Sequence, residues 1–363
     1  MTVKVLIIRF SSIGDIVLTT PVIRNIKQQM NEGDVVVHFL SKNQFKGILE
    51  NNPYIDKLHL IDENVAPILD DLKEERFDYI FDLHRNLRSS QVKRGLGIMD
   101  FTFKKYNVQK WILVNLKVNK MPDMHIVDRY METTKAFNIE NDNKGLDYFI
   151  PSEDEVSLSV FPPEFSNGYI AFAIGGQHEG KMLPNHKIIE ICNGLKTPVI
   201  LLGGKEDVAN GDEIAAKSTN HVFNSCGKFS LNQSASILHQ SQTVITHDTG
   251  LMHIASALKK KVISIWGATV PEFGMYPYFP GEGSKIIEPK GVSRPYSKLG
   301  NKQWYKAAFT GMEKIDVAEV LEAVGEFDAT EHEMSSKANM DRLNSAIDEF
   351  KNGNGFTKEI IED

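Results

Sequence analysis

The sequence has few of the features that mark secreted, membrane-spanning or nucleic-acid-binding proteins. Only two of its 363 residues are cysteines, Cys192 and Cys226, which excludes a disulfide framework and indicates a reducing compartment. The apolar run at 3–8 is too short for a signal peptide or a membrane span. The formal net charge of -7 argues against general nucleic-acid binding, which requires a basic surface. We therefore expect a cytoplasmic protein with no nucleic-acid partner.

One segment, 84–120, reverses the acidic balance. It contains nine lysine or arginine residues and a single acid, Asp100, and apolar residues such as Trp111 lie between the cations. Two interpretations are open. The cations belong to solvated helix faces whose apolar sides pack into the core, or the segment meets an anionic amphiphile and contacts the inner membrane from the cytoplasm.

Hydrophobic periodicity predicts an α/β fold. Short apolar runs alternate with stretches of helical spacing such as 16–30, a pattern typical of parallel sheets covered by helices. The strands predicted in this way are 3–8, 35–40, 77–83, 169–174, 198–202, 243–246 and 261–266.

The chain is long enough for two domains with separate cores. Proline, glycine and polar residues cluster at 161–168, and the strand pattern then restarts. We expect two Rossmann-like domains that face a cleft, 1–163 and 164–312, followed by C-terminal helices and an acidic tail at 313–363. In this tail the apolar residues at helical spacing are Met340, Leu343, Ile347 and Phe350.

The segment from His247 to His253 places polar residues where a predicted strand becomes a helix. Free N–H groups and the positive dipole end at a helix start can bind a diphosphate without a metal. Such a site would use Asp248, Thr249 and Gly250, with His253 about one turn into the helix. The alternative is an ordinary helix cap followed by a semi-buried histidine.

Asp15 follows the first predicted strand, where ligands of open α/β sheets collect. A carboxylate there could act as a general base toward an acceptor hydroxyl. The alternative is a first-turn acid that the helix dipole favours. Since the dipole would lower the pKa of Asp15, we expect partial burial to offset it.

A glycine-rich segment at 175–182 nearly matches the Walker phosphate loop, but Met182 stands at the Ser/Thr position and Pro184 follows closely. Gly175 and Gly176 would still let the backbone approach phosphate, and Lys181 would neutralise its charge. This incomplete match does not imply a nucleotide hydrolase. The alternative is a glycine turn with an exposed lysine. No Gly-x-Gly-x-x-Gly spacing occurs in these stretches, which disfavours a dehydrogenase.

Two further strand ends carry polar residues. Glu206 follows the predicted strand 198–202, where a carboxylate could accept hydrogen bonds from ribose hydroxyls, although a solvated loop is the simpler interpretation. His84, Arg85 and Arg88 follow the strand 77–83. Arginines suit phosphate or carboxylate groups of an acceptor, with helix-end charges as the alternative.

Taken together, these motifs resemble the bacterial ADP-heptose:lipopolysaccharide heptosyltransferase family over about residues 1–315. The matching segments, in order, are 11–21, 82–89, 180–184, 201–204 and 247–255 through 267–269.

The resemblance implies a type B glycosyltransferase fold (GT-B) and an inverting transfer that needs no metal or cofactor. It implies that Asp15 is the general base and that the donor, a nucleotide sugar expected to be ADP-heptose, binds in the second domain. Lys181 would contact the donor diphosphate. The helix-start site for the same donor would consist of Asp248, Thr249, Gly250 and His253. Glu206 is a looser match to an acid that binds the donor ribose.

An anionic glycolipid, the lipid A-linked lipopolysaccharide core, would bind the first domain. We expect its contacts at Ser12, Gly14, His84, Arg85 and Arg88. Two alternatives to a glycosyltransferase are a nucleotide-sugar epimerase or hydrolase of the same fold and a non-catalytic nucleotide-sugar-binding protein.

Overall fold

The computed structural model describes residues 2–300 and 311–325, and its strands form two wholly parallel sheets. The strands of the first sheet are β1 (Val3–Ile8), β2 (Val35–Lys42), β3 (Lys57–Ile61), β4 (Tyr79–Asp82) and β5 (Asp100–Thr102), in the order β3-β2-β1-β4-β5. Those of the second are β6 (Ile170–Ala173), β7 (Val199–Leu202), β8 (Val222–Asn224), β9 (Thr243–His247), β10 (Lys261–Ile265) and β11 (Lys285–Ile287), in the order β11-β10-β9-β6-β7-β8. The predicted α/β class with two similar halves is confirmed.

Helices connect these strands. They are α1 (Ile13–Val17), α2 (Thr20–Gln29), α3 (Lys46–Leu49), α4 (Leu69–Glu74), α5 (Leu87–Leu96), α6 (Asn107–Leu116), α7 (Ile126–Met131), α8 (Asn185–Gly194), α9 (Val208–Lys217), α10 (Leu231–Gln240), α11 (Gly250–Ala257) and α12 (Val317–Val324). None of the helices in the described part of the chain is long and apolar enough to cross a membrane.

Where the sequence predicted one helix over 16–30, the structure has two, α1 and α2. Pro21 lacks the N–H that would bond to the Val17 carbonyl in a continuous helix. The hydroxyl of Thr20 donates to that carbonyl instead, at 2.7 Å. The chain therefore turns between the two helices, and α1 stays a short segment directly after β1.

The strands that the sequence predicted are the seven inner ones, and β3, β5, β8 and β11 were missed. These four are the two edges of each sheet. Inner strands are buried on both faces, as in β6 and β7, where every residue is buried. Helix α12 also packs on the second sheet, since Val320 and Leu321 lie in one apolar cluster with Ile263 and Ile265. The predicted helix near Met340 lies outside the described residues.

Apolar packing and hydrogen bonds join the two halves. One buried cluster contains Ile16 and Val17 of α1 together with Met252 of α11. The Tyr148 hydroxyl donates to Asn232 Oδ1 at 2.6 Å in a buried position. These contacts hold the carboxyl ends of β1 and β4 opposite those of β6, β7 and β9, around a shared cavity.

Candidate active site

A cavity of about 940 Å³ lies between the two halves and is lined by residues of both. Both sheets reverse their strand order there, β1 pairing with β2 and β4, and β6 pairing with β7 and β9. Such switch points leave a crevice at the carboxyl ends of the strands, which is where α/β proteins bind ligands. The cavity therefore has the position that the sequence predicted for the cleft.

Asp15 lies in the first turn of α1 and lines the cavity. Its Oδ1 pairs with Arg9 Nη2 at 2.8 Å, and its Oδ2 accepts from Ser12 Oγ at 2.9 Å and from the Ser12 N–H at 3.3 Å. The side chain remains 23% exposed. A carboxylate offers about four acceptor positions, so one stays open for a hydroxyl that enters the cavity.

Arg9 is a site residue that sequence reasoning missed. The guanidinium group is buried and donates to the Leu83 carbonyl at 2.6 Å, the Tyr130 hydroxyl at 2.9 Å and the Ser11 carbonyl at 2.7 Å. These bonds fix the cation beside Asp15. The available signal was a charged residue directly after an apolar strand, at the end where ligands collect.

The electrostatics of Asp15 differ from the prediction. Burial alone would raise the pKa of the carboxyl group, but the charge of Arg9 and the hydrogen bonds from Ser12 outweigh it, and the pKa lies below its ordinary value. We expected burial to offset the lowering of the Asp15 pKa by the helix terminus, and this expectation is wrong for the reason just given. At neutral pH Asp15 is a carboxylate, the form that accepts a proton.

The starts of α1 and α11 meet at two glycines, Gly14 and Gly250. A Cβ on Gly14 would lie 2.5 Å from His253 Cδ2, and a Cβ on Gly250 would lie 2.8 Å from Ile13 Cγ2. Both helix starts can therefore approach closely only because neither position has a side chain. This contact joins the two walls of the cavity, one lined by Asp15 and the other by Asp248, Thr249 and His253.

His253 lines the cavity and is only 2% exposed. Burial lowers its pKa to about 4, despite the nearby charges of Asp248 and Asp15. Its Nδ1 is buried and has no hydrogen-bond partner within the described part of the chain. The imidazole is therefore neutral at pH 7.

Lys181 and Asp248 form an ion pair at 2.6 Å beside the start of α11. Thr269 donates to the same carboxylate oxygen at 2.8 Å, and Lys181 also reaches the Asp248 carbonyl at 3.3 Å. Asp248 thus orients the lysine, while Thr249 occupies the N-cap position of the helix. This arrangement places a cation and free helix N–H groups together on the cavity wall.

The remaining donor candidates, Gly175, Gly176 and Glu206, also line the cavity. Glu206 is exposed, whereas its neighbour Asp207 is buried and accepts from the Gly204 N–H at 2.8 Å. The segment after β6 does not lead directly into a helix as a Walker loop does. Lys181 lies in a short 3-10 turn, and α8 begins only at Asn185, after Pro184.

On the acceptor side the structure brings some candidates together and leaves others out. Ser12, Gly14 and His84 line the cavity, but Arg85 and Arg88 do not. Arg88 pairs with Glu63 at 3.0 Å, and the exposed Arg85 donates to the Phe103 carbonyl at 3.3 Å.

Three lysines supply the positive charge that the arginines do not. Lys105 and Lys110 of the basic segment and Lys298 of the second half all line the cavity. Burial, with the charges of Arg129 and Lys298, lowers the pKa of Lys110 to about 8, and burial lowers that of Lys105 as well. Neither makes an ion pair with any residue that the structure describes. The sequence revealed this basic segment, but not which of its cations face the cavity.

Comparison with known proteins identifies the family of the chain. The model of glycosyltransferase family 9 (heptosyltransferase) matches residues 66–281, more than half of the chain. The chain therefore belongs to glycosyltransferase family 9, and it is an enzyme of the glycosyltransferase class.

Individual relatives show the same similarity. The chain is 28% identical over 291 residues to lipopolysaccharide heptosyltransferase 1 of Campylobacter coli, and the match covers 73% of this chain and 84% of that relative. The crystal structure of a family 9 glycosyl transferase from Veillonella parvula superposes with a TM-score of 0.70 at 18% identity, covering 89% of this chain and 96% of that one. The structure of Escherichia coli heptosyltransferase WaaC with ADP superposes with a TM-score of 0.62 at 17% identity, covering 89% of this chain and 99% of that one. The predicted GT-B fold is confirmed.

Proposed function

We propose that the protein transfers a heptose, or a similar sugar, from an ADP-linked donor to a lipid A-linked lipopolysaccharide core, with inversion and without a metal ion. One observation carries the proposal: the Asp15 carboxylate and the start of α11 line the same cavity, next to the contact between Gly14 and Gly250. A base from one half and an anion-binding helix start from the other are the two parts that sugar transfer from a diphosphate requires.

In the proposed reaction Asp15 accepts the proton of an acceptor hydroxyl. The hydroxyl oxygen forms a bond to the anomeric carbon as the bond from that carbon to the diphosphate oxygen breaks, and the nucleoside diphosphate leaves with the electron pair. Because the pKa of Asp15 is low, the proton moves late, when the attacking oxygen has become acidic. Attack opposite the leaving group inverts the anomeric centre.

The leaving diphosphate gains negative charge, and the second half stabilises it. Lys181, oriented by Asp248, supplies a positive charge. The N–H groups of Thr249 and Gly250 at the start of α11 supply the positive end of the helix dipole. These groups take the role that a divalent cation has in other transferases. Glu206 at the rim would accept hydrogen bonds from the ribose hydroxyls, and Gly175 and Gly176 would let the backbone approach the phosphates.

The acceptor occupies the side of the cavity that Ser12, His84 and the lysines line. Lys105 and Lys110 come from the first half, and Lys298 from the second, so an anionic acceptor would contact both halves. Carboxylates or phosphates of a lipopolysaccharide core match this charge. Arg85 and Arg88 are assigned no acceptor contact, because their guanidinium groups bind elsewhere.

A donor panel tests this assignment. We expect ADP-heptose to raise the Tm more than UDP- or GDP-linked sugars, because a ligand that binds only the folded state stabilises it. ADP release should require a lipid A-linked acceptor and yield a glycosylated product. Release of ADP from the donor alone would favour an epimerase or hydrolase, and donor binding without product would favour a binding protein.

We further propose that α6 and the residues after it contact the cytoplasmic face of the inner membrane. Apolar side chains are exposed here between lysines: Val108 (67%), Trp111 (59%), Leu116 (59%) and Val118 (45%). Such a surface binds anionic headgroups and inserts its apolar side chains shallowly. Val108→Glu should reduce co-sedimentation with anionic vesicles. Val160→Glu, at another exposed valine before the second sheet (54%), should not. Equal binding of both variants would reject the surface.

The domain division also remains part of the proposal. We place the acceptor-binding domain at 1–163 and the donor-binding domain at 164–312. Helix α12 then adds to the second domain, because it packs on α8 and β10.

A further inference from the structure

Two histidines meet on the first sheet, away from the cavity. His38 lies on β2 and His59 on the edge strand β3, and His38 Nδ1 is 2.9 Å from His59 Nε2. The strand register sets Leu40 beside His59, which puts both imidazoles on the same face of the sheet. They are 3% and 6% exposed, and neither lines the catalytic cavity.

A carboxylate completes the cluster. Glu75 directly follows α4, and its Oε2 lies 4.0 Å from His38 Nδ1. The ligand atoms of His38, His59 and Glu75 all lie within 4.8 Å of one another. Phe77 packs edge-on against both imidazoles, with centroid distances of 5.1 and 6.1 Å, and forms an apolar wall.

We propose that His38, His59 and Glu75 form a binding site for a divalent transition-metal cation, with Zn²⁺ as the best match. Two imidazole nitrogens and one carboxylate are a known donor set for zinc, which leaves its fourth position to water. A Zn–N distance of about 2.0–2.1 Å places two tetrahedral ligands about 3.3 Å apart. The histidine nitrogens, 2.9 Å apart, would therefore separate slightly, and the Glu75 oxygen would approach them from distances of no more than 4.8 Å, a closure of at most about 1.5 Å.

The protonation states suit this role. Burial lowers the pKa of His38, and burial and its neighbours lower that of His59 to about 4. Both imidazoles are neutral at pH 7, the form that binds a metal. Glu75 is a carboxylate, since hydrogen bonds from Lys57 and Lys4 lower its pKa to about 2.

The two lysines compete with the cation. Lys4 pairs with Glu75 at 3.0 Å, and Lys57 pairs with the other carboxylate oxygen. Their side chains are 33% and 55% exposed, so both ammonium groups can move into water when a metal binds. Metal binding would then replace these ion pairs, and removing Lys57 should strengthen it.

The site would link three elements. Among the described strands, β3 pairs with β2 alone and forms the edge of the sheet, and Glu75 directly follows α4. A metal bound by all three residues would join β2, β3 and the segment between α4 and β4. Since binding requires the folded arrangement, the cation should stabilise the protein against unfolding.

The test uses the full-length protein after treatment with a chelator. Titration with Zn²⁺ alone should show one equivalent bound per chain and a higher Tm. Titration with Co²⁺ alone should give the visible d–d absorption of a four-coordinate site. His59→Gln and Glu75→Gln should each weaken binding at least tenfold, consistent with the loss of one ligand, whereas Lys57→Gln should tighten it.

His186→Asn is the matched control. His186 is an exposed histidine 3.1 Å from one carboxylate, that of Glu313, and its replacement should change nothing. Circular dichroism establishes that each variant folds, and if His59→Gln does not, the partly exposed Glu75→Gln decides. The proposal is overturned if the chelator-treated parent protein gives no four-coordinate Co²⁺ spectrum, if Glu75→Gln binds Zn²⁺ as tightly as the parent, or if His186→Asn weakens binding as much as the ligand variants do.

Discussion

Arg9 Nη2 lies 2.8 Å from Asp15 Oδ1, across the turn from β1 to α1. Arg9 is 7% exposed and bound to two backbone carbonyls and a tyrosine hydroxyl, so it holds the carboxylate at the cavity wall. The same cation keeps the pKa of Asp15 low against the effect of burial. The position and the ionisation of the proposed base therefore both depend on this ion pair, together with the hydrogen bonds from Ser12.

Replacing Arg9 should move the acidic limb of the pH–rate profile. In Arg9→Gln only the hydrogen bonds from Ser12 still oppose the effect of burial, so the pKa of Asp15 rises and activity is lost at a higher pH than in the parent. Arg9→Lys keeps the charge and should shift the limb less. The measurement is kcat/KM against pH. We also expect Arg9→Gln to lose about 3 kcal/mol of stability, as buried pairs do. An unchanged acidic limb in a folded Arg9→Gln protein would contradict this role.

Gly14→Ala should damage both stability and donor binding. Its Cβ would meet the ring of the buried His253 at 2.5 Å, so His253 or α11 has to move. Overpacking of this kind costs about 1–3 kcal/mol. Gly47→Ala in α3 is the control, because the nearest atom to its Cβ would be 3.7 Å away. Denaturant unfolding and the donor KM report the difference, and equal behaviour of the two variants would refute the close contact.

Lys181→Met should weaken donor binding and slow transfer. A hydrogen bond to a charged group contributes about 2 kcal/mol, so we expect the donor Kd to rise roughly 30-fold. Lys217→Met removes an exposed lysine that also pairs with a carboxylate, that of Glu213, and should bind the donor normally. Calorimetry with the donor makes the comparison. Normal affinity in Lys181→Met would remove the lysine from the diphosphate site.

Acceptor binding should weaken at alkaline pH. The pKa of Lys110 is lowered to about 8, so its positive charge is present below that pH and lost above it. The acceptor KM should therefore rise as the pH passes through about 8, while the donor KM stays level. Lys110→Arg keeps its charge at every accessible pH and should remove most of that rise. An identical rise in both proteins would assign the alkaline loss to another group.

The sequence predicted the inner strands because burial on both faces demands a continuous apolar run. Edge strands pair on one side only and tolerate charge, and β5 and β11 begin with Asp100 and Lys285. Their short, partly polar sequences do not differ from loops by periodicity. The apolar spacing predicted one helix where the structure has α1 and α2. The break at Pro21 depends on the bond from the Thr20 hydroxyl to the Val17 carbonyl, which spacing does not reveal.

The site was predictable where polar or charged residues follow the end of an inner strand. Asp15, Lys181 and the segment 248–253 lie beyond the ends of inner strands, and they meet in the cavity. Lys110 and Lys298 lie far apart in sequence, and only the fold brings them to one wall. Arg85 and Arg88 follow a strand too, but nearby partners such as Glu63 bind them outside the cavity.

Asp15→Asn tests the central claim most directly, because it keeps the size of the side chain and removes the negative charge with which Asp15 would accept the proton. Donor affinity should stay within about twofold of the parent. The single-turnover rate of sugar transfer to the acceptor should fall about 10²- to 10⁴-fold, the range typical of a lost general base. A folded variant that still transfers sugar within tenfold of the parent rate would show that Asp15 is not the base.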